Sequence, residues 1–385
     1  MQPQPDPGAG LPGSGVWARY RPRVIKYLGS KRALVPVLGD LAVAVGARAA
    51  VDLFTGTTRV AQELKRRGLH VTAADIATYS KVLADCYVAT DADEIDEARL
   101  DQELARLNAL AGRPGYFTET FCEQARYFQP KNGARVDAIR EDLDQRRDDP
   151  LFPVLLTSLM LAADRVDSTT GVQMAYLKEW APRAHQDLEL RRPELIPGAG
   201  TAIRGDAVEL VDGLATTDLM YLDPPYNQHR YFTNYHVWET LVRWDSPEHY
   251  GIACKRADSR DEATRSVFNV KRRMPDAFGD LVARVRAEVV VVSCNDEAWL
   301  QPGQVVARLQ EAGHEDVQLV GFDSKRYVGA QIGIFSPAGE KVGRVARLRN
   351  VEYLFVAGPA TKVAAATTAA IARGAKPLEA VATPA

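Results

Sequence analysis

Cysteine is scarce in this sequence of 385 residues, and it never occurs at the paired spacing that metal sites use. There is no CxxC pair, and the four cysteines lie far apart along the chain, at Cys86, Cys122, Cys254 and Cys294. This distribution argues against a zinc site and against a disulfide framework. It indicates a reducing compartment. We therefore expect a cytoplasmic protein without a structural metal.

Long apolar runs are also missing. The longest, Leu151 to Ala163, is too short to cross a bilayer and predicts a buried helix. The amino-terminal stretch, Met1 to Gly15, is rich in proline and glycine and lacks the apolar segment of a signal peptide. We expect residues 1–18 to be disordered and the protein to have no membrane partner.

Charge of one sign does not dominate the chain. The formal net charge is −2, whereas a protein that coats nucleic acid would be basic overall. The positive charge is nevertheless concentrated in three clusters, which lie at 19–32, 255–273 and 325–349. One cluster alone is better explained as a solvated surface, but concentrated charge is compatible with DNA binding. The candidate phosphate contacts are Arg256, Arg260, Lys271, Arg272, Lys325 and Arg326.

Short apolar runs that end at turn residues predict the strands of a parallel sheet, at 49–54, 70–76, 201–205, 218–222 and 288–293. Between the first two we predict a helix, Arg59 to Arg67, with Thr58 as its cap. From residue 80 to 198 helix follows helix, which is too long for an ordinary crossover and indicates an inserted domain. The expected organisation is a disordered start (1–18), a first α/β part (19–79), the helical insertion (80–198), a second α/β part with a basic loop at 245–274 (199–357), and a disordered tail (358–385).

The tetrapeptide Asp223-Pro224-Pro225-Tyr226 follows one of these apolar runs and so lies where open α/β sheets bind ligands. The two prolines stiffen the turn and have no N–H donors, so the turn presents a carboxylate and backbone carbonyls to the cleft. Adjacent acceptors suit the two N–H groups of an exocyclic amine, and Tyr226 adds a flat face for a planar ring. The turn predicts a grip on an aminated nucleobase. The alternative is a rigid loop without function.

A second candidate site follows the first predicted strand. Gly56 allows a tight turn and a close backbone approach to a ligand, although the chain has no full GxGxxG at this point. Asp75 ends the second strand, where an acid accepts both ribose hydroxyls of an adenosine-containing cofactor. Asp206 closes another strand and is a candidate contact for the cofactor's adenine. For Asp206, capping of a helix is an equally good explanation.

In order along the chain, these motifs resemble the D12 class of DNA adenine-N6 methyltransferases, over roughly residues 23–357. Lys26-Tyr27-Leu28-Gly29-Ser30-Lys31-Arg32 looks like the family's Lys-aromatic-x-Gly-Gly-Lys element, and Asp52 to Thr58 looks like its Phe-x-Gly-x-Gly motif. Residues 223–226 look like its catalytic motif, and the segments 232–240 and 350–355 are also similar to the family. Two departures concern the cofactor site, because Ser30 and Thr58 stand where the family has glycine.

The resemblance implies an α/β fold, a Rossmann-like methyltransferase sheet with an inserted, mostly helical target-recognition domain. It implies methyl transfer from S-adenosylmethionine to N6 of a flipped-out adenine in double-stranded DNA. A cognate restriction endonuclease is a candidate partner. The cofactor contacts that it implies are Tyr27, Lys31, Asp52, Phe54, Gly56, Asp75 and Asp206. The catalytic residues are Asp223, Pro224, Pro225 and Tyr226, without a metal.

Three other interpretations stay open at this point. An RNA adenine-N6 methyltransferase shares the same catalytic logic, although the large insertion and the Asp that opens the catalytic motif favour DNA. A DNA-binding protein that keeps the fold without turnover is compatible with the altered glycine turn, but the intact tetrapeptide argues against it. A nicotinamide-dependent dehydrogenase is disfavoured by the missing glycines.

Overall fold

The structure is a computed structural model that describes residues 24–29, 31–177, 179–325, 334–335, 341–343 and 349–379. Its strands are β1 (Ala49–Asp52), β2 (His70–Asp75), β3 (Thr201–Arg204), β4 (Thr217–Leu222), β5 (His249–Tyr250), β6 (Lys255–Arg256), β7 (Ala287–Asn295), β8 (Asp316–Lys325), β9 (Ile334–Phe335), β10 (Lys341–Gly343), β11 (Arg349–Gly358) and β12 (Lys376–Leu378). The five predicted strands correspond to β1, β2, β3, β4 and β7 and are confirmed, with ends that differ by at most two residues. The predictions for residues 1–18 and for Ser30 lie outside the described residues.

The helices of the first half are α1 (Val35–Ala44), α2 (Arg59–Arg66), α3 (Thr78–Ala84), α4 (Glu97–Asn108), α5 (Tyr116–Thr118), α6 (Pro130–Asp144) and α7 (Phe152–Val166). Those of the second half are α8 (Ala207–Leu210), α9 (Tyr231–Asn234), α10 (His236–Arg243), α11 (Met274–Arg284), α12 (Pro302–Glu311) and α13 (Ala360–Ala372). Within the described residues, none of these helices has the length and apolar character needed to cross a membrane.

Eight strands form one sheet in the order β12-β8-β11-β7-β4-β1-β2-β3. The run from β7 to β3 is parallel throughout, whereas β11 is antiparallel to both of its neighbours. The chain therefore winds outward from β1 in both directions, and the carboxyl ends of β1 and β4 flank the point where the winding reverses. This mixed, mostly parallel sheet confirms the predicted α/β class and locates the cleft in which such sheets bind ligands.

Helices cover both faces of the sheet because its central strands alternate apolar side chains between two cores. In β7, Val289 and Val291 join the core beneath α1, α2 and α13, whereas Val290 and Val292 join the core beneath α11 and α12. All four valines are buried. Strands buried on both faces are typical of parallel sheets, which explains the uninterrupted valine run in the sequence.

The helical insertion does not have a core of its own. Its helices α4, α6 and α7 share one apolar cluster with Val24 and Ile25 at the start of the described chain and with helix α10. Arg140 of α6 is fully buried and donates to the carbonyls of Leu241 (2.9 Å) and Val242 (3.1 Å) in α10. These carbonyls lie in the last turn of α10, where helical partners are missing, so a side chain of the insertion completes that helix.

The prediction of a disordered tail over 358–385 is wrong for the part that the structure describes. Residues 360–372 form α13, whose Val363, Ala366 and Ala370 are fully buried against the α1 side of the sheet. Residues 376–378 form β12, which pairs with β8 at the sheet edge. Alanine is the strongest helix former, and its small side chain allows close packing. The alanine-rich segment therefore forms a helix that packs on the sheet, although its low complexity suggested disorder.

Candidate active site

One pocket lies at the carboxyl ends of β1, β2 and β4, at the reversal point of the sheet. It contains every residue predicted to be catalytic or to bind cofactor, namely Tyr27, Lys31, Asp52, Phe54, Gly56, Asp75, Asp206, Asp223, Pro224, Pro225 and Tyr226. The remaining wall mixes apolar and aromatic side chains, such as Ile76, Tyr231 and Phe268, with polar ones, such as Arg230 and Asn269. The structure therefore brings together side chains from strands that are separated by about 170 positions along the chain.

The turn after β1 is shaped by Gly56. Its φ is +50°, and a Cβ atom here would come within 3.3 Å of the ring of Tyr27. The Gly56 N–H donates to Asp75 Oδ2 at 2.8 Å, which ties the turn to the end of β2. Both the backbone conformation and the close approach of Tyr27 thus require glycine at this position.

Thr58 does not cap α2 as predicted. It adopts the left-handed conformation (φ +62°), and its hydroxyl accepts from Gln62 Nε2 at 2.9 Å instead of from the backbone. The side chain is fully buried and does not line the pocket. A β-branched residue is strained at positive φ, which explains why glycine suits this position of the motif. The departure from the family pattern therefore falls on backbone conformation and not on the pocket wall.

Asp75 and Asp206, which lie at or just after the ends of strands, line the pocket and also accept hydrogen bonds from the backbone. Asp75 Oδ1 accepts from the Ala77 N–H (2.9 Å) while Oδ2 accepts from Gly56, and burial raises the pKa of this carboxyl. Each carboxylate oxygen has a second lone pair, so Asp75 can still accept from a ligand. Asp206 accepts from the Val208 N–H at 2.8 Å, so the capping interpretation is correct for it, although the residue also lines the pocket.

Asp52, at the end of β1, is an almost fully buried carboxylate. Its Oδ2 accepts from Thr55 Oγ1 (2.9 Å) and from the Ala61 N–H (3.2 Å). Its Oδ1 is buried and has no hydrogen-bond partner in the described part of the chain. Burial raises the pKa of Asp52 to about 7, and the negative charges of Asp223 and Asp75 add to this rise. An unpartnered acceptor of this kind suits a cationic or N–H-bearing ligand.

Replacement of Asp52 by Asn tests this raised pKa through protein stability. The carboxyl has a pKa of about 7 in the folded protein and about 3.9 in the unfolded chain, so only the folded state keeps the proton between these values. The free energy of unfolding of the wild type should therefore fall as the pH rises through this range. Relative to the wild type, Asp52→Asn should gain about 2 to 3 kcal/mol between pH 5 and pH 8. Urea denaturation measures the difference; one that does not vary with pH would contradict the assignment.

Asp223 is held by a cation and a hydroxyl on the same oxygen. Its Oδ1 lies 3.1 Å from Lys31 Nζ and accepts from Ser293 Oγ at 2.9 Å. Lys31 Nζ also lies 3.3 Å from Glu352 Oε2 and 5.2 Å from the centroid of the Tyr226 ring. Among the described residues, Asp223 Oδ2 has no hydrogen-bond partner, and the side chain is 20% exposed at the pocket. One oxygen is therefore fixed while the other faces the ligand space.

The positive charge of Lys31 is stabilised by the acids around it, Asp223 and Glu352, and in turn stabilises the charged form of Asp223. Burial alone would lower the pKa of Lys31, but Asp223, Tyr226 and Glu352 outweigh it and hold this pKa well above its ordinary value. Burial raises the pKa of Asp223, and both the Lys31 charge and the Ser293 hydrogen bond oppose the rise. Lys31 was predicted to contact the cofactor. In the structure it lines the pocket, but its ammonium group binds the carboxylate of the predicted catalytic motif.

Aromatic stacking joins the amino-terminal element to the chain that follows the tetrapeptide. The ring of Tyr27 lies 4.6 Å from that of Tyr235 and 5.2 Å from that of Tyr231, both at an interplanar angle of 17°. The Leu28 N–H donates to the Tyr235 hydroxyl at 2.5 Å. Because Tyr27 and Tyr231 both line the pocket, this stack forms a flat wall beside Asp223.

The predicted phosphate contacts differ in their accessibility. The prediction is wrong for Arg256, which is 1% exposed and pairs with Asp245 and Asp258 at 2.7 Å each. Both acids lie in the same basic segment as Arg256. Because they neutralise its charge in the interior, Arg256 adds no positive charge to the surface. Arg260 is exposed, and its guanidinium lies 3.7 Å from the centroid of the Tyr250 ring. Lys271 and Arg272 are exposed before α11, whereas the side chains of Lys325 and Arg326 lie outside the described residues.

Sequence reasoning missed three residues of this site, Ser293, Glu352 and Tyr231. Ser293 is the first polar residue after the valine run of β7, and the pairing of Leu222 with Val292 sets it beside Asp223. A polar residue at the carboxyl end of a buried strand was therefore a usable signal. Glu352 lies in β11, and its proximity to Lys31 arises only from the sheet order.

Comparisons with known proteins identify the family of this chain. The profile of the family described as D12 class N6 adenine-specific DNA methyltransferase matches residues 27–289. The type II methyltransferase M.NlaIII of Neisseria lactamica is 28% identical over 277 residues, which cover 69% of this chain and 80% of that protein. The type II methyltransferase M.CviAII of Paramecium bursaria Chlorella virus 1 is 28% identical over 282 residues, which cover 69% of this chain and 81% of that protein.

A further relative is longer. The type II methyltransferase M.FokI of Planomicrobium okeanokoites is 26% identical over 311 residues, which cover 75% of this chain but 47% of that protein. This chain thus spans about half the length of that relative. The family profile covers most of the chain and includes both the glycine turn and the Asp-Pro-Pro-Tyr tetrapeptide. The chain therefore belongs to the D12 class of N6 adenine-specific DNA methyltransferases and is a site-specific DNA adenine methyltransferase.

Proposed function

We propose that Asp223 and the carbonyl of Pro224 accept the two hydrogens of the adenine N6 amino group. The observation that carries this proposal is the fixed Asp223 carboxylate, with Oδ1 held by Lys31 and Ser293 and Oδ2 facing the pocket. The N6 lone pair is conjugated with the purine ring, which makes it a poor nucleophile. Two acceptors on its hydrogens favour a tetrahedral nitrogen and orient its lone pair, so positioning and electrostatics supply the rate enhancement.

We assign the other half of the pocket to S-adenosylmethionine. When bound, it supplies an electrophilic methyl group on a sulfonium centre. We assign Asp75 to its ribose hydroxyls, the apolar faces of Phe54 and Ile76 to its purine, and the unpartnered Oδ1 of Asp52 to its donors or positive charge. Gly56, at the turn after β1, also lines this part of the pocket. Tyr27 and Asp206 complete the same wall.

Asp75→Asn tests the ribose assignment. Asn keeps one side-chain acceptor for the Gly56 or Ala77 N–H, so the turn should stay folded. It loses the charge and one acceptor oxygen. We expect the affinity for S-adenosylmethionine to fall about tenfold to a hundredfold, which is the usual effect of losing a charged hydrogen bond. Isothermal titration calorimetry measures this, with kcat at saturating cofactor as the control. An unchanged dissociation constant would remove Asp75 from the cofactor site.

The substrate adenine must leave the base stack, because N6 of a base stacked within a duplex cannot reach Asp223 in the pocket. Tyr226, in the tetrapeptide, and the Tyr27–Tyr231 wall offer planar faces for the flipped base. We assign phosphate contacts to the exposed Arg260, Lys271 and Arg272. We assign base reading to the helical insertion, which stays a proposal without named residues. Binding should weaken with salt in proportion to the number of phosphates contacted.

The relatives are named type II methyltransferases, and we propose that this enzyme likewise protects DNA sites from a cognate restriction endonuclease. All four cysteines are free and buried, as expected for an enzyme of the reducing cytoplasm.

The test of the proposed function is methyl transfer from labelled S-adenosylmethionine to duplex DNA and, separately, to RNA of mixed sequence. Digestion to nucleosides identifies the methylated base. We expect N6-methyladenine in DNA, which would make mapping of the target sequence the next step. Label that appears only in RNA would overturn the substrate assignment.

A further inference from the structure

A short hairpin beside the pocket carries the most exposed large apolar side chain of the described residues. Strands β5 and β6 form this hairpin, and Ile252 in its loop is 82% exposed. Single exposed apolar residues are common on protein surfaces, so exposure alone does not assign a role. Two further observations support a role for Ile252: the strained backbone around it and the hydrogen bonds that hold the hairpin.

The hairpin is bordered by strained backbone. The described residues contain four non-glycine residues with positive φ, and three of them, Trp244, Ser246 and Cys254, lie within eleven positions of one another here. The loop itself is closed by the Cys254 N–H, which donates to the Gly251 carbonyl at 3.0 Å. Residues held at positive φ cost of order 1 kcal/mol or more each and cluster at functional sites. Here the strained turn holds Ile252 away from the protein.

Two sets of hydrogen bonds hold the hairpin, and one of them links it to the pocket. On one side, the Tyr250 hydroxyl lies 3.1 Å from Ser259 Oγ, and the Ser259 carbonyl accepts from Arg230, which lines the pocket, at 2.7 Å. On the other side, the Ala253 carbonyl accepts from the Tyr127 hydroxyl at 3.1 Å. The loop therefore cannot swing freely, and Ile252 keeps a fixed position relative to the catalytic motif.

A second exposed apolar residue lies nearby. The Tyr127 hydroxyl also donates to the Gln173 carbonyl at 2.7 Å, so the loop that carries Met174 is bound to the same group as the hairpin. Met174 is 38% exposed. The described side chains of this loop, over 168–177, carry no charge. The loops that carry Ile252 and Met174 are thus joined through Tyr127.

The charge around the hairpin is compatible with a polyanion. The segment 245–274 has seven basic and five acidic residues. Two of the acids, Asp245 and Asp258, are engaged by Arg256 and Arg243. Arg260, Lys271 and Arg272 of the same segment are exposed. A duplex that is bound over the pocket can therefore meet cations around an apolar wedge, which is how proteins insert side chains between base pairs.

We propose that Ile252, flanked by Met174, enters the DNA duplex beside the target adenine and fills the space that the adenine leaves as it turns into the pocket. This inference rests on the proposed function, because it requires that the adenine be taken out of the stack into the Asp223 site. An apolar side chain in the gap replaces part of the lost stacking and opposes return of the base.

The experiment compares Ile252→Ala with the wild type on two duplexes that carry the mapped target site. In one the target adenine pairs with thymine, and in the other it faces an abasic position and is already unpaired. We expect Ile252→Ala to lower kcat/KM about tenfold to a hundredfold on the paired duplex and less than about threefold on the unpaired one. Ile252→Leu, which keeps the apolar volume, should stay near the wild type on both.

Ile371→Ala is the matched control, because it removes the same side chain from another exposed position. Ile371 is 42% exposed on α13, which contributes no residue to the pocket. It should match the wild type on both duplexes. An equal loss for Ile252→Ala on the two duplexes, or no loss on either, would overturn the proposal. If Ile252→Ala changed only the sedimentation of the free protein, and not its activity, the proposal would also be overturned. The hairpin would then be assigned to a contact between protein molecules. Failure of the proposed function is seen separately, as Asp223→Ala that still methylates adenine.

Discussion

Asp223→Ala is expected to fold and to bind S-adenosylmethionine, yet to lose methyl transfer by at least about a thousandfold in kcat. In the proposed mechanism, the variant removes the acceptor that orients the adenine N6 and leaves only the Pro224 carbonyl. Lys31 loses one counterion but keeps Glu352 at 3.3 Å, so the buried ammonium is not left without a partner. Folding and cofactor affinity should therefore be preserved, which circular dichroism and calorimetry can verify.

Asp223→Asn separates the two roles of this side chain, as a hydrogen-bond acceptor for adenine N6 and as the counterion of Lys31. Asn keeps one carbonyl oxygen but cannot neutralise Lys31, so we expect an intermediate loss of about tenfold to a hundredfold in kcat. Ser293→Ala, which removes only the 2.9 Å hydrogen bond to Oδ1, should have a smaller effect than either. Near-normal turnover by Asp223→Ala would show that the carboxylate does not act on the adenine.

Lys31→Met has the second-largest expected effect. Methionine fills a similar volume at this buried position but removes the charge that faces Asp223 and Glu352. With no cation between the two carboxylates, burial and mutual repulsion raise the pKa of Asp223, and a protonated carboxyl loses an acceptor. We expect kcat at neutral pH to fall about a hundredfold. We also expect the acidic limb of the kcat–pH profile to move up by about one unit or more.

The pH profile distinguishes this role from the cofactor contact that family resemblance suggests for Lys31. A lower kcat with an unshifted profile would indicate loss of packing only. A higher dissociation constant for S-adenosylmethionine with an unchanged kcat would return Lys31 to the cofactor site. Lys31→Arg keeps the charge and should keep the acidic limb in place. Glu352→Gln leaves Lys31 entirely to Asp223 and should not raise the limb.

The sequence was most informative where chemistry and local structure coincide. The apolar runs of β1, β2 and β4 and the turns that follow them are set by residues within a few positions, so both strands and strand-end acids were predictable. These ends meet in one pocket because parallel strands share an edge. The pocket therefore followed from the pattern of the chain together with the rules of sheet winding.

Interactions between distant segments could not be read in this way. Lys31 and Glu352 are 321 positions apart, and only the order of the sheet brings them together. The burial of Arg256 was also missed, although its partners Asp245 and Asp258 lie close to it in the sequence. The carboxyl-terminal helix was missed because low complexity was taken for disorder, whereas Val363 and its alanine neighbours have a surface to pack on.

The shared core of the helical insertion limits how this enzyme can be re-engineered. Chimeras that exchange a whole inserted domain assume units joined by solvated linkers. Here such an exchange would cut through one apolar cluster and remove Arg140 from the end of α10, leaving buried carbonyls without donors. Grafts confined to exposed loops would keep that interface. If the insertion reads the target sequence, as we propose, loop replacement is therefore a better route to new sequence preferences than exchange of the whole insertion.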